Sequence, residues 1–108
     1  MKNIPRHRRP LRRARRRPKV LFPLGRLVAT PRALDLLDRR AVDGVELLRR
    51  HQRGDWGELT PEDAAANDFA VLHNLRILSS YRLSETEKVW CITEADRSAT
   101  TILLPEEY

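Results

Sequence analysis

Between residues 51 and 58 the chain reads His-Gln-Arg-Gly-Asp-Trp-Gly-Glu, gathering an imidazole, a guanidinium, two carboxylates and an indole into a glycine-punctuated loop. Such groups suit acid–base work on a phosphodiester, where one side chain carries a proton and a cation meets developing charge. A second polar cluster, Glu94-Ala-Asp-Arg-Ser98, interrupts two hydrophobic stretches, with Thr100 and Thr101 adding hydroxyls just beyond it. If folding brought the clusters together, His51, Arg53, Asp55, Trp56, Glu94, Asp96 and Arg97 would line one pocket. In a small ribonuclease or ribosome-dependent toxin of this kind, Arg82 and Arg97 would stabilise the pentavalent phosphate. His51 or Glu94 would move the proton. A structural reading uses the same residues and is preferred. His51 and Arg53 cap a helix C-terminus, Trp56 fills the edge of the core, Asp55 satisfies loop amides, and residues 94–98 form a charged hairpin turn.

Other chemistry finds less support. His7, His51 and His73 are scattered, and none has ligand spacing to Cys91 or to a carboxylate cluster, so no metal is expected. The lone Cys91 allows no internal disulfide and reads as a small buried hydrophobe. A glycine-rich phosphate loop is missing, and no cofactor is implied.

The formal net charge of +6 over 108 residues hides a partition. Residues 1–19 hold Lys2, Arg6, Arg8, Arg9, Arg12, Arg13, Arg15, Arg16, Arg17 and Lys19 and no acid, whereas residues 20–108 carry eleven Lys and Arg against fifteen Asp and Glu, a net −4. A like-charge block with three prolines repels itself and is expected to be disordered when free. Its natural partner is a polyanion, RNA or DNA, bound with release of counterions and therefore with steep salt dependence. Arginine grips phosphate bidentately and stacks, which favours RNA or irregular nucleic acid. The arm contains no aromatic residue, so it offers neither base stacking nor sequence specificity. No apolar run approaches the roughly 18–20 residues that cross a bilayer, and no apolar segment follows the basic start. A reduced, cytoplasmic setting without membrane contact is expected.

The elements that must position these groups follow from period and punctuation. Residues 20–29 read as an entry strand restricted to a sheet edge by Pro23 and Gly25. Thr30-Pro31 opens a helix with Leu34, Leu37 and Ala41 inward and Asp35, Asp38 and Arg39 outward. Asp43, with Glu46 three residues on, opens a second helix that buries Val45 and Leu48 and ends in Arg49, Arg50 and His51 before Gly54. Thr60-Pro61 starts a third, running to about Asn74 on a stripe of Ala65, Phe69 and Leu72. The period then changes to two. Residues 75–83 place Leu75, Ile77, Tyr81 and Leu83 on one face and Arg76 and Arg82 on the other. Lys88–Thr93 is apolar on both faces, as a central strand is, and Ala99–Leu104 closes the chain's last strand. The expected architecture is α+β in the order β-α-α-α-β-β-β, one compact domain over 20–108 with a C-terminal antiparallel meander packed on helices.

Three stretches, residues 22–30, 50–58 and 92–108, together resemble a family of small bacterial proteins of plasmids and integrated mobile elements. Its members are labelled plasmid-related or loosely associated with type I restriction-modification. The resemblance covers about residues 21–108, omits the arm, and implies a mobile-element setting without a mechanism. Arg32, Asn74 and the 84–87 loop stand where that family tends to carry glycine. The expected function is a non-enzymatic accessory protein whose domain engages a protein or nucleic acid and whose arm adds electrostatic affinity. The ribonuclease or toxin is the alternative. An inhibitor of a restriction or CRISPR complex ranks third, because −4 spread over the domain is weak mimicry of DNA.

Overall fold

The computed structural model describes residues 19–108, so all of the basic arm except Lys19 lies outside the described residues. Strand β1 (Arg26–Ala29) is followed by helices α1 (Pro31–Arg39), α2 (Gly44–Gln52) and α3 (Pro61–His73). Strands β2 (Ile77–Arg82), β3 (Lys88–Thr93) and β4 (Ala99–Leu103) come next, and a 3-10 turn, Pro105–Glu107, ends the series. The α+β order expected from the sequence holds. The sheet runs β1-β4-β3-β2. β2, β3 and β4 form the antiparallel meander, and β1 adds itself parallel to β4, which makes the sheet mixed.

Each helix starts where side-chain chemistry provides a cap. Thr30 Oγ1 accepts from the Ala33 amide at 3.1 Å, Asp43 from Val45 at 2.9 Å, and Thr60 from Asp63 at 3.1 Å. Asn74 ends α3 in the left-handed conformation (φ 54). Glycine is the usual residue there and asparagine the next best.

Side chains alternate across a strand, so the register defines two sheet faces. The inner face shows Ile77, Ser79, Tyr81, Val89, Cys91, Thr93, Thr100 and Ile102. Leu36 and Leu37 of α1 and Leu47 and Leu48 of α2 pack on it as the main core. A smaller cluster joins Phe22, Trp56, Ala70 and Ile77. Cys91 is fully buried, as its central strand led one to expect, and burial pushes its thiol up to about 12.

Two helix faces differ from the sequence reading. α1 buries Ala33, Leu36 and Leu37, while Leu34 is largely exposed and Ala41 lies beyond the helix end with φ 55. Thr30 and Pro31 fix the start, and nine residues are too few to carry the 34-37-41 stripe. In α3 the expected stripe is present but turned outward, with Phe69 54% and Leu72 78% exposed, and Ala65 also outward. The buried side is instead Asn67 and Ala70. α3 is apolar around most of its circumference, so period alone does not choose a side. Small residues and one amide win because they let the helix approach the sheet edge closely. Val45 and Leu75, also expected inside, are about half exposed.

The sheet edges are unlike. On β2, Asn67 bonds both backbone groups of Leu78, while the Ser80 amide donates to Trp56 and its carbonyl accepts from Glu58. On β1, the amides of Arg26 and Thr30 donate inward to Ser98 and Ile102. The intervening Leu27 and Ala29 therefore direct their backbone groups outward. Leu27, Leu34, Leu37 and Val45 border a groove of about 410 Å³ along this edge.

Candidate functional site

His51 sits in the last turn of α2, fully buried between that helix and the sheet. Its Nδ1 lies 2.5 Å from Ser79 Oγ and its Nε2 lies 2.9 Å from Thr93 Oγ1. Thr93 in turn meets Thr100 at 2.6 Å, and Thr100 donates to the Leu24 carbonyl at 2.7 Å. The carbonyl only accepts, and this fixes every proton in the chain. With its own proton spent, Thr100 accepts from Thr93. Thr93 then accepts from Nε2–H, and the bare Nδ1 accepts from Ser79. The five groups form one directional relay that ties α2 to β2, β3, β4 and the entry segment. Phe22 meets the imidazole edge-on at 5.2 Å and Trp56 does so at 6.0 Å. Burial lowers the imidazole to about 4, so the ring is neutral at physiological pH.

Beyond His51, the neighbouring loop is held by its own members. The exposed Arg53 ends α2, its amide bonding the carbonyls of Arg49 and Arg50. Arg50 grips Asp55 through two bonds of 2.7 and 3.3 Å and holds that carboxyl below the usual carboxylate range. Asp55 also accepts from the Gly57 amide at 3.3 Å, and its carbonyl accepts from the Tyr81 hydroxyl at 2.6 Å. Trp56 fills the second core cluster while its indole N–H donates to Asp68 at 3.1 Å.

The 94–98 turn is equally committed. Arg97 takes the left-handed conformation at φ 62. Its guanidinium donates to the carbonyls of Leu75 (2.7 Å), Ala70 (2.9 Å), Glu94 and Ala95 (both 3.2 Å), and lies 5.6 Å over the Phe22 ring. It thus locks the end of α3 to the β3–β4 turn. Asp96 accepts from the Ser98 amide at 2.9 Å, and the Ser98 hydroxyl, then that amide, hold its carboxyl low. Glu94 lies 3.3 Å from Arg76. Arg82 is exposed and donates to the Glu85 carbonyl in the β2–β3 loop.

The fold brings His51 and Trp56 together and approaches Arg97 to them through Phe22. Arg53, Asp55, Glu94 and Asp96 stay at the surface in two separate loops, and Arg82 lies apart from both at the end of β2. The partners that complete the His51 relay, Ser79, Thr93 and Thr100, were not picked out as its ligands from sequence. The available signal was polarity at inward positions of strands with period two.

The sheet's outer face holds further basic and aromatic side chains above a buried layer of Ile92 and Leu103. Register places Arg26 and Val28, Thr101 and Leu103, Lys88, Trp90 and Ile92, and Leu78, Ser80 and Arg82 on it. The 3-10 turn brings Tyr108 against Trp90, with ring centroids 5.7 Å apart and planes at 68°. Arg76 lies over the Tyr108 ring at 5.9 Å and bonds its hydroxyl. From sequence, Trp90 stood only within the central strand 88–93 and Tyr108 only at the end of the stretch 92–108, and neither was singled out. Among the described residues, no helix is long and apolar enough to cross a membrane, and no group of three His, Cys, Asp or Glu is placed to hold a metal ion.

Compared with protein-family models, with curated proteins and with solved structures, the chain matches none.

Proposed function

We propose that the protein is a non-enzymatic, nucleic-acid-binding accessory protein of a bacterial mobile element, acting in the cytoplasm through its arginine-rich arm. The observation that carries this reading is the charge partition: ten cations and no acid in residues 1–19, beside a folded part of net −4. Adhesion to phosphate and folding are assigned to different segments. The mobile-element setting rests on the resemblance of residues 22–30, 50–58 and 92–108.

The geometry of the candidate catalytic residues supports a binding role over a ribonuclease. A proton carrier needs contact with substrate and a pKa near working pH. His51 has no exposed surface, both ring nitrogens are occupied, and its charged form is disfavoured until about pH 4. Arg97 has its donors directed to four backbone carbonyls.

A salt titration tests the reading. Binding of a fluorescein-labelled twelve-nucleotide RNA is followed by anisotropy from 50 to 300 mM KCl. Several phosphate contacts predict a log–log slope steeper than about −3, because each contributes about −0.7 on a single strand. Absent binding at 50 mM, or a slope near zero, contradicts it.

A further inference from the structure

We propose that the outer face of the sheet is a stacking site for single-stranded nucleic acid, with Trp90 and Tyr108 receiving bases and Arg26, Arg76, Arg82 and Lys88 receiving phosphates. The inference rests on the nucleic-acid reading above and adds where the bases sit.

Four observations converge on this face. Its two aromatic rings adjoin at 5.7 Å, Tyr108 is 63% exposed and Trp90 is partly exposed, so both offer surface to a planar ligand. Four exposed cations share the face or its rim, and Glu94, the carboxylate just beyond the end of β3, lies 3.3 Å from Arg76. Glu106 and Glu107 in the adjoining 3-10 turn reach toward α1, bonding Arg32 and Thr30. Ser80, which pairs with Trp90 across β2 and β3, has a buried hydroxyl oxygen with no hydrogen-bond partner among the described residues. A buried hydroxyl without a partner calls for an explanation, and a base edge that displaced its cover would supply one.

The geometry selects the ligand class. Base–aromatic stacking tolerates any sequence because every base has a π-face, and a basic surface beside the rings tracks the backbone. The rings are inclined at 68°, so successive bases must splay apart to use both. A single strand permits this, whereas a duplex keeps its bases paired and stacked. The arm lacks aromatics and supplies charge; the sheet face supplies rings.

The test uses the full chain and its intrinsic tryptophan emission, titrated with rU12, dT12 and a twelve-base-pair duplex. Trp56 is buried, so emission changes on binding report Trp90. Both single strands are expected to quench emission, and the duplex to leave it nearly unchanged. Tyr108→Ala and Arg76→Ala, at exposed side chains, should each weaken single-strand binding about five- to tenfold at an unaltered thermal midpoint. Trp90→Phe keeps an aromatic ring and should retain affinity while abolishing the quench. Binding with unchanged emission and with Tyr108→Ala at full affinity would overturn the sheet site and leave the arm reading standing. Quenching by the duplex alone also overturns it, and absent binding overturns both readings.

Discussion

Asn67 bonds Leu78 twice, its amide nitrogen donating to the carbonyl at 2.7 Å and its amide oxygen accepting from the backbone N–H at 3.2 Å. One side chain thus does for the edge of β2 what a neighbouring strand would do. Unpaired strand edges invite association with other chains, and α3 closes this one. Asn67→Ala removes both bonds and should cost about 1–3 kcal/mol, read as a lower urea midpoint with unchanged slope. Asn67→Asp keeps the acceptor but loses the donor, and should fall between the two.

The His51 relay gives stability a pH dependence above the range of ordinary carboxylates. The unfolded imidazole titrates near 6.5, while the folded one stays neutral until about 4. The contribution of the neutral ring is therefore fully present above pH 6.5. It is lost as pH falls toward 4, because the unfolded state takes up the proton first. The span corresponds to about 3 kcal/mol at most. Urea unfolding at pH 7.5, 6 and 5 should show this decline. His51→Gln should unfold more easily at pH 7.5 and show little further loss down to pH 5. A wild-type profile flat between pH 7.5 and 5 would contradict the neutral buried ring.

Arg97 draws its four carbonyl acceptors from the end of α3, the residues after it and the β3–β4 turn. Arg97→Ala leaves those carbonyls without their cation and should destabilise the protein by about 1.5–3 kcal/mol, the range for hydrogen bonds to a charged group. Arg97→Lys should recover less than half, since an ammonium lacks the planar fork. Equal stability of the lysine variant and the wild type would show that charge alone suffices.

Gly57 crosses the edge of β2 with φ +76, and an added Cβ would collide with the Ser80 carbonyl. The left-handed conformation and the close backbone approach both require glycine here. Gly57→Ala should cost about 3 kcal/mol or more, combining backbone strain with the clash. Ser80 belongs to both this crossing and the outer face, so the same variant should perturb Trp90 emission.

Much of the fold was legible because local chemistry agreed with the final structure. Thr30-Pro31, Asp43 and Thr60-Pro61 announce helix starts through caps that need no tertiary partner. The alternation from Ile77 to Arg82 separates the two sheet faces unaided. What stayed hidden depended on long-range pairing. The parallel seat of β1 beside β4 joins residues more than seventy positions apart. The outward turn of Phe69 and Leu72 is decided by Asn67 finding a strand edge, which helical period cannot express. His51 looked catalytic because a histidine in a polar, glycine-bearing loop suits acid–base work. The hydroxyls of its relay come from three different strands, two of them on the ring itself, and their convergence exists only in the fold. Trp90 and Tyr108 were overlooked for the same reason, since the 3-10 turn makes them neighbours.

The measurement closest to the central claim compares rU12 binding by the intact chain with that of a full-length variant in which Arg12, Arg13, Arg15, Arg16 and Arg17 are replaced by serine. If phosphate affinity resides in the arm, the variant should bind about tenfold or more weakly at 100 mM KCl, with a flatter salt slope, while its thermal midpoint stays that of the parent. Affinity within about twofold of the parent, well inside the loss that five phosphate contacts imply, would contradict the account.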